Sequence, residues 1–219
     1  MGDFHPAVEE YLETIYELEE AGIVPMRARI VERLGVSAPA VSETVKRLER
    51  EGYLTLDAAK AMVLTESGRK YATDMVRRHR LAERLLVDVL HVPWHQVHEE
   101  ACRLEHAISD NLERHLVALL DDPATCPHGN PIPGSAREVP AGATVPLASA
   151  AEGARTEVRR IDEQLEADPA GLLLLERHDL MPGSLLTVGA RSGGAVGVTS
   201  SVGDVAVPDA VASLVYVLA

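Results

Sequence analysis

Aromatic side chains are almost missing from this chain: one Phe, one Trp and five Tyr make up 3% of its 219 residues. Any core must therefore be assembled from Leu, Val, Ile and Ala. No run approaches the roughly 18 apolar residues that signal a membrane-spanning helix. The start, MGDFHPAVEE, has neither the basic nor the apolar stretch of a secretory signal, so the chain is expected in the cytoplasm. Two cysteines, Cys102 and Cys126, cannot build a disulfide scaffold, and both are expected to be thiols. Basic residues are in the minority, 21 Lys plus Arg against 34 Asp plus Glu, for a net charge of -13. That excludes a uniformly basic nucleic-acid coat but leaves room for a local basic patch. What is present, 46% hydrophobic and 25% charged residues, is ordinary for a globular chain. The length suits one large domain or two to three small ones.

Composition divides the chain in three. Residues 1–127 are rich in Glu, Arg, Leu and His, with helical periodicity; 128–155 concentrate Pro, Gly, Ala and Ser; 156–219 turn to short Val and Leu runs broken by PG, GG and GD. The last pattern is that of a small all-β module, and the middle one that of a linker. In the first part, Val8, Leu12, Ile15 and Leu18 recur at helical spacing until Ala21-Gly22. Ile30, Val31 and Leu34 mark a second helix ended by Gly35, and Val41, Val45 and Leu48 a third ended by Gly52. YLTL (53–56) and AMVLT (61–65) follow as short strands. Helix, turn, helix, hairpin is the order of a winged helix-turn-helix. Two more long helices are expected over 66–90 and 93–120.

Residues 27–50 carry six basic side chains (Arg27, Arg29, Arg33, Lys46, Arg47, Arg50) against three acids (Glu32, Glu43, Glu49), an inversion of the overall charge. Ser37, Pro39, Ser42 and Thr44 open the third helix with small residues, which lets a phosphate approach its amides closely. A solvated helical bundle could carry the same basic residues; the wing and the charge inversion favour DNA. No Arg or Lys lies between Ser37 and Thr44 to read guanine, and only Glu43 could accept from a cytosine amine. Specificity is therefore expected largely from DNA shape and phosphate register. The expected DNA-facing set is Arg27, Ser37, Pro39, Ser42, Glu43, Arg47 and Arg50.

Ligand-type residues cluster further on. His79 and Glu83 lie at i and i+4, and His98, Cys102, Glu105 and His106 share a second helical stripe. Imidazole, thiol and carboxylate together suit a divalent transition metal better than Ca²⁺ or Mg²⁺. His79–Glu83 alone reads as an exposed ion pair; four potential ligands within residues 98–106, with a cysteine among them, are harder to assign to chance. His91 and His95 flank the interhelical turn, while His5, His115, His128 and His178 have no ligand-spaced partner and read as surface or packing residues. Cys126, beside Pro127, reads as a free thiol, and the absence of a CxxC pair excludes a zinc ribbon.

These segments resemble the diphtheria toxin repressor family of iron- and manganese-dependent transcriptional regulators. The resemblance is carried by YLETIYELEEAG (11–22), RARIVERLGVSAPAVSETVKRLEREG (27–52), RRHRLAERLLVDVL (77–90), VHEEACRLEHAISD (97–110) and GNPIPG (129–134). It implies a mainly α fold with β: a winged-helix DNA-binding domain over 1–70, a helical dimerisation and metal-binding domain over 71–134, a linker over 135–155, and an SH3-like (FeoA-like) β-barrel over 156–219. It places an ancillary metal site on His79, Glu83 and His98, completed by Asp168 from the third domain, with Glu166 close enough to compete. Gly171 stands where the family has a glutamine ligand. The regulatory site falls on Glu10, Cys102, Glu105 and His106. Iron-responsive members have methionine at the position of Glu10; a carboxylate there, with Glu13 three residues on, matches the manganese branch, whereas Cys102 matches the iron branch. A charged oxygen in place of a thioether favours a harder ion. The expected cofactor is Mn²⁺, with Fe²⁺ as the alternative, at two sites per chain. Ala40 and Glu43 replace the threonine and glutamine frequent in the iron branch, which leaves the operator sequence open.

The expected protein is thus a metal-activated repressor of metal homeostasis that binds double-stranded operator DNA as a homodimer, with no membrane association. Seven acids and no Lys or Arg occupy residues 1–20 (Asp3, Glu9, Glu10, Glu13, Glu17, Glu19, Glu20), so a cation at Glu10 would relieve their repulsion. A metalloenzyme is the alternative of a different class, but the sequence has no HExxH spacing and no recognisable nucleophile. A metal buffer would leave the winged helix without a purpose.

Overall fold

A computed structural model describes residues 6–219, so Asp3 and His5 lie outside the described residues. The chain divides into two compact units, Met1–Arg78 and His79–Ala219.

The first unit is a winged helix. Helix α1 (Pro6–Glu20) buries Val8, Tyr11, Leu12, Ile15 and Leu18 along one stripe, as its periodicity requires. They pack with Ile30 of α2 (Arg27–Leu34) and with Val41, Val45 and Leu48 of α3 (Ala38–Arg50). Gly35 ends α2 in the left-handed conformation (φ 64°), its N–H donating to Val31 O at 3.0 Å. Ser37 caps α3, its Oγ accepting from Ala40 N at 3.4 Å, and Pro39 sits in the first turn, where its missing N–H costs nothing. Strands β1 (Leu54–Leu56) and β2 (Met62–Leu64) pair antiparallel to form the wing. Helix α4 (Glu66–Arg84) follows at once, and only glycine fits at 68: a Cβ there would stand 1.8 Å from the Tyr53 carbonyl oxygen.

The second unit joins a helical part to a β module. A π-helical turn (Leu85–Val89) extends α4. The single helix expected over 93–120 is instead broken. A 3₁₀ turn (Trp94–Gln96) leads into α5 (Val97–Leu104), a second 3₁₀ turn (Glu105–Ala107) ends it, and α6 (Asp110–Leu119) starts anew. The cause is local: Ile108 is extended, and Ser109 caps α6 by accepting from Leu112 N at 3.3 Å.

The β module has a six-stranded antiparallel sheet in the order β3-β8-β4-β5-β6-β7. Its strands are β3 (Thr144–Pro146), β4 (Arg155–Ile161), β5 (Leu185–Ser192), β6 (Ala195–Ser200), β7 (Gly203–Pro208) and β8 (Val215–Leu218). Helices α7 (Glu163–Glu166) and α8 (Pro169–Arg177) fill the β4–β5 connection, and α9 (Asp209–Ala212) precedes β8. The expected architecture of winged helix, helical part and C-terminal β module is present. Among the described residues β3 and β7 do not pair, so the SH3-like sheet is open rather than closed into a barrel. It also begins inside the stretch expected as linker, because Thr144, Val145 and Pro146 register against β8. The valine-rich sheet core takes in Trp94 from the helical part.

Candidate metal centre

Four chain segments of the second unit converge on one buried pocket. Helix α4 contributes His79 and Glu83 from a single face, since four residues make about one turn. Helix α5 contributes His98, the loop after α6 contributes Cys126 and His128, and α7 contributes Glu166. The loop is held by both of its neighbours. Arg84 Nε donates to Thr125 O at 2.7 Å, and the buried Arg80 donates to Pro131 O while pairing with Glu163 at 2.6 Å. His128 O accepts from Ile161 N of β4 at 2.8 Å. Gly129 (φ 87°) lets the loop lie on β4, where a Cβ would meet Arg159 O at 2.2 Å.

Within the pocket, Glu83 Oε1 lies 3.0 Å from His128 Nδ1, 3.4 Å from His79 Nε2 and 3.9 Å from His98 Nδ1. Glu166 Oε2 lies 3.2 Å from His98 Nδ1 and 3.3 Å from His128 Nδ1. Most of these contacts are ion-pair distances without hydrogen-bond geometry. His79 Nε2, Glu83 Oε2, His98 Nδ1, His128 Nε2 and Glu166 Oε2 are all buried with no hydrogen-bond partner. Buried polar atoms are normally satisfied, and five unpartnered ones on the side chains of a single pocket are what a bound cation can resolve.

The outer atoms of the same side chains are anchored. His79 Nδ1 is hydrogen-bonded to Glu105 Oε2 at 2.6 Å, and Asn130 Nδ2 donates to Glu166 Oε1 at 2.9 Å. Trp94 packs its ring 4.6 Å from that of His128, and its indole N–H donates to Pro127 O at 3.1 Å. Such outer bonds fix ring and carboxylate orientation before an ion arrives.

Burial disfavours charge on every member, yet for the histidines and for Glu83 and Glu166 mutual attraction outweighs it. Against burial, the Cys102 thiol, Glu105 and Glu83 raise the pKa of His79 well above the usual imidazole value. Against the same penalty, Cys102 and Glu166 raise that of His98, and Glu166 and Glu83 that of His128. Glu83 is held well below the carboxylate range by His128 and His79 despite burial, and Glu166 falls to about 2, chiefly through His128. An ion entering here competes with protons for the same imidazole nitrogens. Burial, reinforced by Glu83, pushes the Cys126 thiol up to about 12. Cys102, though largely buried, is brought down to about 7 by His79 and His98.

The expected ancillary residues His79, Glu83 and His98 are therefore brought together, and His79–Glu83 is a buried pair rather than an exposed one. Asp168 is not with them. It is exposed at the start of α8, where its carboxylate accepts from Ala170 N at 3.1 Å and caps the helix, while Glu166 faces the histidines. Of the expected regulatory set, Cys102 Sγ lies 3.7 Å from His98 Nε2, Glu105 is buried against His79, and His106 Nε2 lies 3.5 Å from Glu105 Oε1. Glu10 belongs to the first unit, on the exposed face of α1. Sequence reasoning missed Cys126 and His128. Their two-residue spacing beside GNPIPG was the available signal, but a loop has no periodicity to say which helix it meets.

In the first unit, Ser37, Pro39, Glu43 and Arg50 are exposed along α3, with Ser42 and Arg47 half-buried beside them and Arg27 half-buried at the start of α2. Arg47 pairs loosely with Glu51 at 3.6 Å. No helix of the described residues is long and apolar enough to cross a membrane.

Comparison with known proteins gives this geometry a lineage. Residues 3–62 match the N-terminal DNA binding domain of the iron dependent repressor, residues 65–134 its metal binding and dimerisation domain, and residues 145–219 the FeoA domain. The iron-dependent repressor IdeR of Mycobacterium tuberculosis is 42% identical over 214 residues, covering 90% of this chain and 89% of that protein. The diphtheria toxin repressor of Corynebacterium efficiens is 44% identical over 191 residues, covering 84% and 83%. A solved manganese-dependent transcriptional repressor in complex with manganese superposes with a TM-score of 0.83 at 36% identity, covering 97% of this chain and 99% of that one. On these matches the chain belongs to the iron-dependent, or diphtheria toxin, repressor family of metal-dependent, DNA-binding transcriptional repressors.

Proposed function

We propose that the chain is a repressor of metal homeostasis genes that binds operator DNA as a homodimer in the cytoplasm when loaded with Mn²⁺. The observation that carries this reading is the pocket with five orphaned buried donor atoms. Two sets of residues would hold metal. One is His79, Glu83 and His98 with Glu166 in place of Asp168, joined by Cys126 and His128; the other is Glu10, Cys102, Glu105 and His106. The metal supplies positive charge among carboxylates that otherwise repel one another. Val89, Leu90, Leu112 and Leu119 are exposed on the helical part, which matches a dimerisation domain, and are available to a second copy.

In a dimer the two α3 helices must match half-sites set by the DNA repeat of about 34 Å. An ion that ties Glu10 of α1 to the 102–106 stripe fixes that spacing. By linkage, DNA then raises metal affinity by the factor through which metal raises DNA affinity. Phosphate contacts fall to Arg27, Arg47 and Arg50, and close approach to Ser37, Pro39 and Ser42, with Glu43 as the base-edge candidate. Mn²⁺ is favoured by the carboxylates Glu10 and Glu13 and by the likeness to a manganese-dependent repressor. Fe²⁺ is the second reading, favoured by the Cys102 thiol and by the likeness to the iron-dependent repressor IdeR.

A gel shift on the chain's own promoter region tests both, starting from chelated protein and titrating Mn²⁺, Fe²⁺ or Zn²⁺ separately. Retardation is expected only with metal, and at the lowest concentration with Mn²⁺. Equal retardation by metal-free protein would overturn the reading; earlier retardation with Fe²⁺ would replace manganese by iron.

A further inference from the structure

The ladder of β4 is broken at one place, and the break borders a cavity. Residues 155–157 pair with β5 and residues 158, 160 and 161 with β8, with a register shift between Val158 and Arg160. Neighbouring side chains of a regular strand point to opposite faces, so Arg160 would ordinarily turn away from Glu157 and Arg159; a bulge re-aims it. Glu157, Arg159 and Arg160 all line one cavity of about 430 Å³, and Arg84 of α4 lines it with them. Its wall thus holds three guanidiniums to one carboxylate, in a chain whose net charge is -13.

These guanidiniums are positioned but loosely paired. Arg84 donates to Thr125 O at 2.7 Å and to Cys126 O at 3.2 Å, and Asp88 stands 3.6 Å from it, outside the cavity lining. Arg160 lies 3.9 Å over the Tyr216 ring and 4.0 Å from Asp162, which is also outside the lining. Arg159 Nη1 pairs with Glu157 at 3.0 Å, while its Nε is buried with no hydrogen-bond partner among the described residues. The three side chains are 26%, 24% and 26% exposed for Arg84, Arg159 and Arg160. That is dry enough to strengthen a charge-assisted bond and open enough for a solute to reach.

We propose that this cavity binds a small organic dianion, a phosphate monoester or a dicarboxylate, through Arg84, Arg159 and Arg160. Planar guanidinium forks match the oxygens of either group bidentately. Arg159 is the central side chain, since a buried donor without an acceptor is costly and an anion supplies one. The volume is that of a small-molecule site, with room for a carbon skeleton beside the charge. No histidine lines it, and neither does Glu83 or Glu166, so side-chain charge holds the anion rather than a bound metal. The inference goes beyond the metal-dependent repressor and stands whether or not manganese is its ion.

Isothermal titration of the full chain, in phosphate-free buffer at fixed ionic strength, uses glycerol 3-phosphate and succinate as probes and glycerol as the uncharged control. At least one of the two anions is expected to bind at one site per chain, in chelated and in Mn²⁺-loaded protein alike, and glycerol not at all. Whichever anion binds names the charged group. Arg159→Gln is expected to weaken that binding by about tenfold or more, the cost of a lost charge-assisted contact. Arg177→Ala, which removes an exposed arginine at the end of α8, should leave it unchanged. In chelated wild type the amide signals of Gly142 and Gly183, both lining the cavity, are expected to shift as the anion is added, a readout that needs no variant. Binding by neither anion, binding only with metal, equal weakening by Arg159→Gln and Arg177→Ala, binding that Arg159→Gln leaves intact, or unmoved glycine signals each overturns the proposal.

Discussion

The two compact units solve different problems with the same chain. The winged helix of Met1–Arg78 is built from neighbours in sequence: each helix shows its buried stripe as a 3.6-residue period, and each ends on a glycine or a cap. The pocket of His79–Ala219 is built from residues spread between 79 and 166, on two helices, a loop and a one-turn helix. A fold that periodicity specifies can lose one side chain and keep its outline. A site assembled from four segments depends on each segment's arrival.

The largest effect is expected at Glu83, whose carboxylate lies within 4 Å of three histidines. Glu83→Gln removes one charge from the centre of the pocket and should weaken metal binding there by more than about 100-fold, beyond what loss of an outer partner costs. Isothermal titration with Mn²⁺ and Zn²⁺ measures it, and a loss under tenfold would mean that Glu83 is not a ligand. Next in size is Leu48→Ala in the winged helix, where Leu48 is fully buried. It should destabilise the first unit by about 2–5 kcal/mol in urea unfolding while the second unit's pocket keeps its metal count. Loss of both together would break the comparison drawn above.

A smaller effect tests how the ligands are oriented. Asn130→Ala frees Glu166 Oε1 from its 2.9 Å hydrogen bond and should lower pocket affinity by roughly 10–100-fold without removing any ligand. The smallest concerns Asp168: Asp168→Ala should leave metal affinity unchanged and cost about 1 kcal/mol through the lost cap of α8. A drop in affinity would restore Asp168 as a ligand. Trp94, whose ring lies 4.6 Å from His128, gives an optical readout for the whole series: its emission should be quenched when Co²⁺ enters the wild-type pocket.

The same contrast explains what could be read from the sequence. Helices α1 to α3 and the wing follow from apolar spacing and from Gly35, Ser37 and Gly52, because those signals act within a few residues. His79, Glu83 and His98 were legible for a similar reason, since i and i+4 spacing puts ligands on one helical face. Cys126 and His128 were not, because their loop owes its place to Arg80, Arg84 and the close approach of Gly129 to β4, none of it periodic. Asp168 and Glu166 differ by two residues, and local capping separated them: Asp168 starts α8 and turns its carboxylate to its own backbone. The break at Ile108 was hidden because hydrophobic periodicity runs on across Ser109.

Glu166 lies on α7, directly after β4 and ahead of most of the sheet. A transcript cut short after the GNPIPG loop would still encode a complete reading head and five of the six pocket donors, but no closing carboxylate. Such a product would keep the whole surface that meets DNA while holding the pocket ion weakly, so a stop codon between that loop and Glu166 should blunt the response to metal without altering the winged helix.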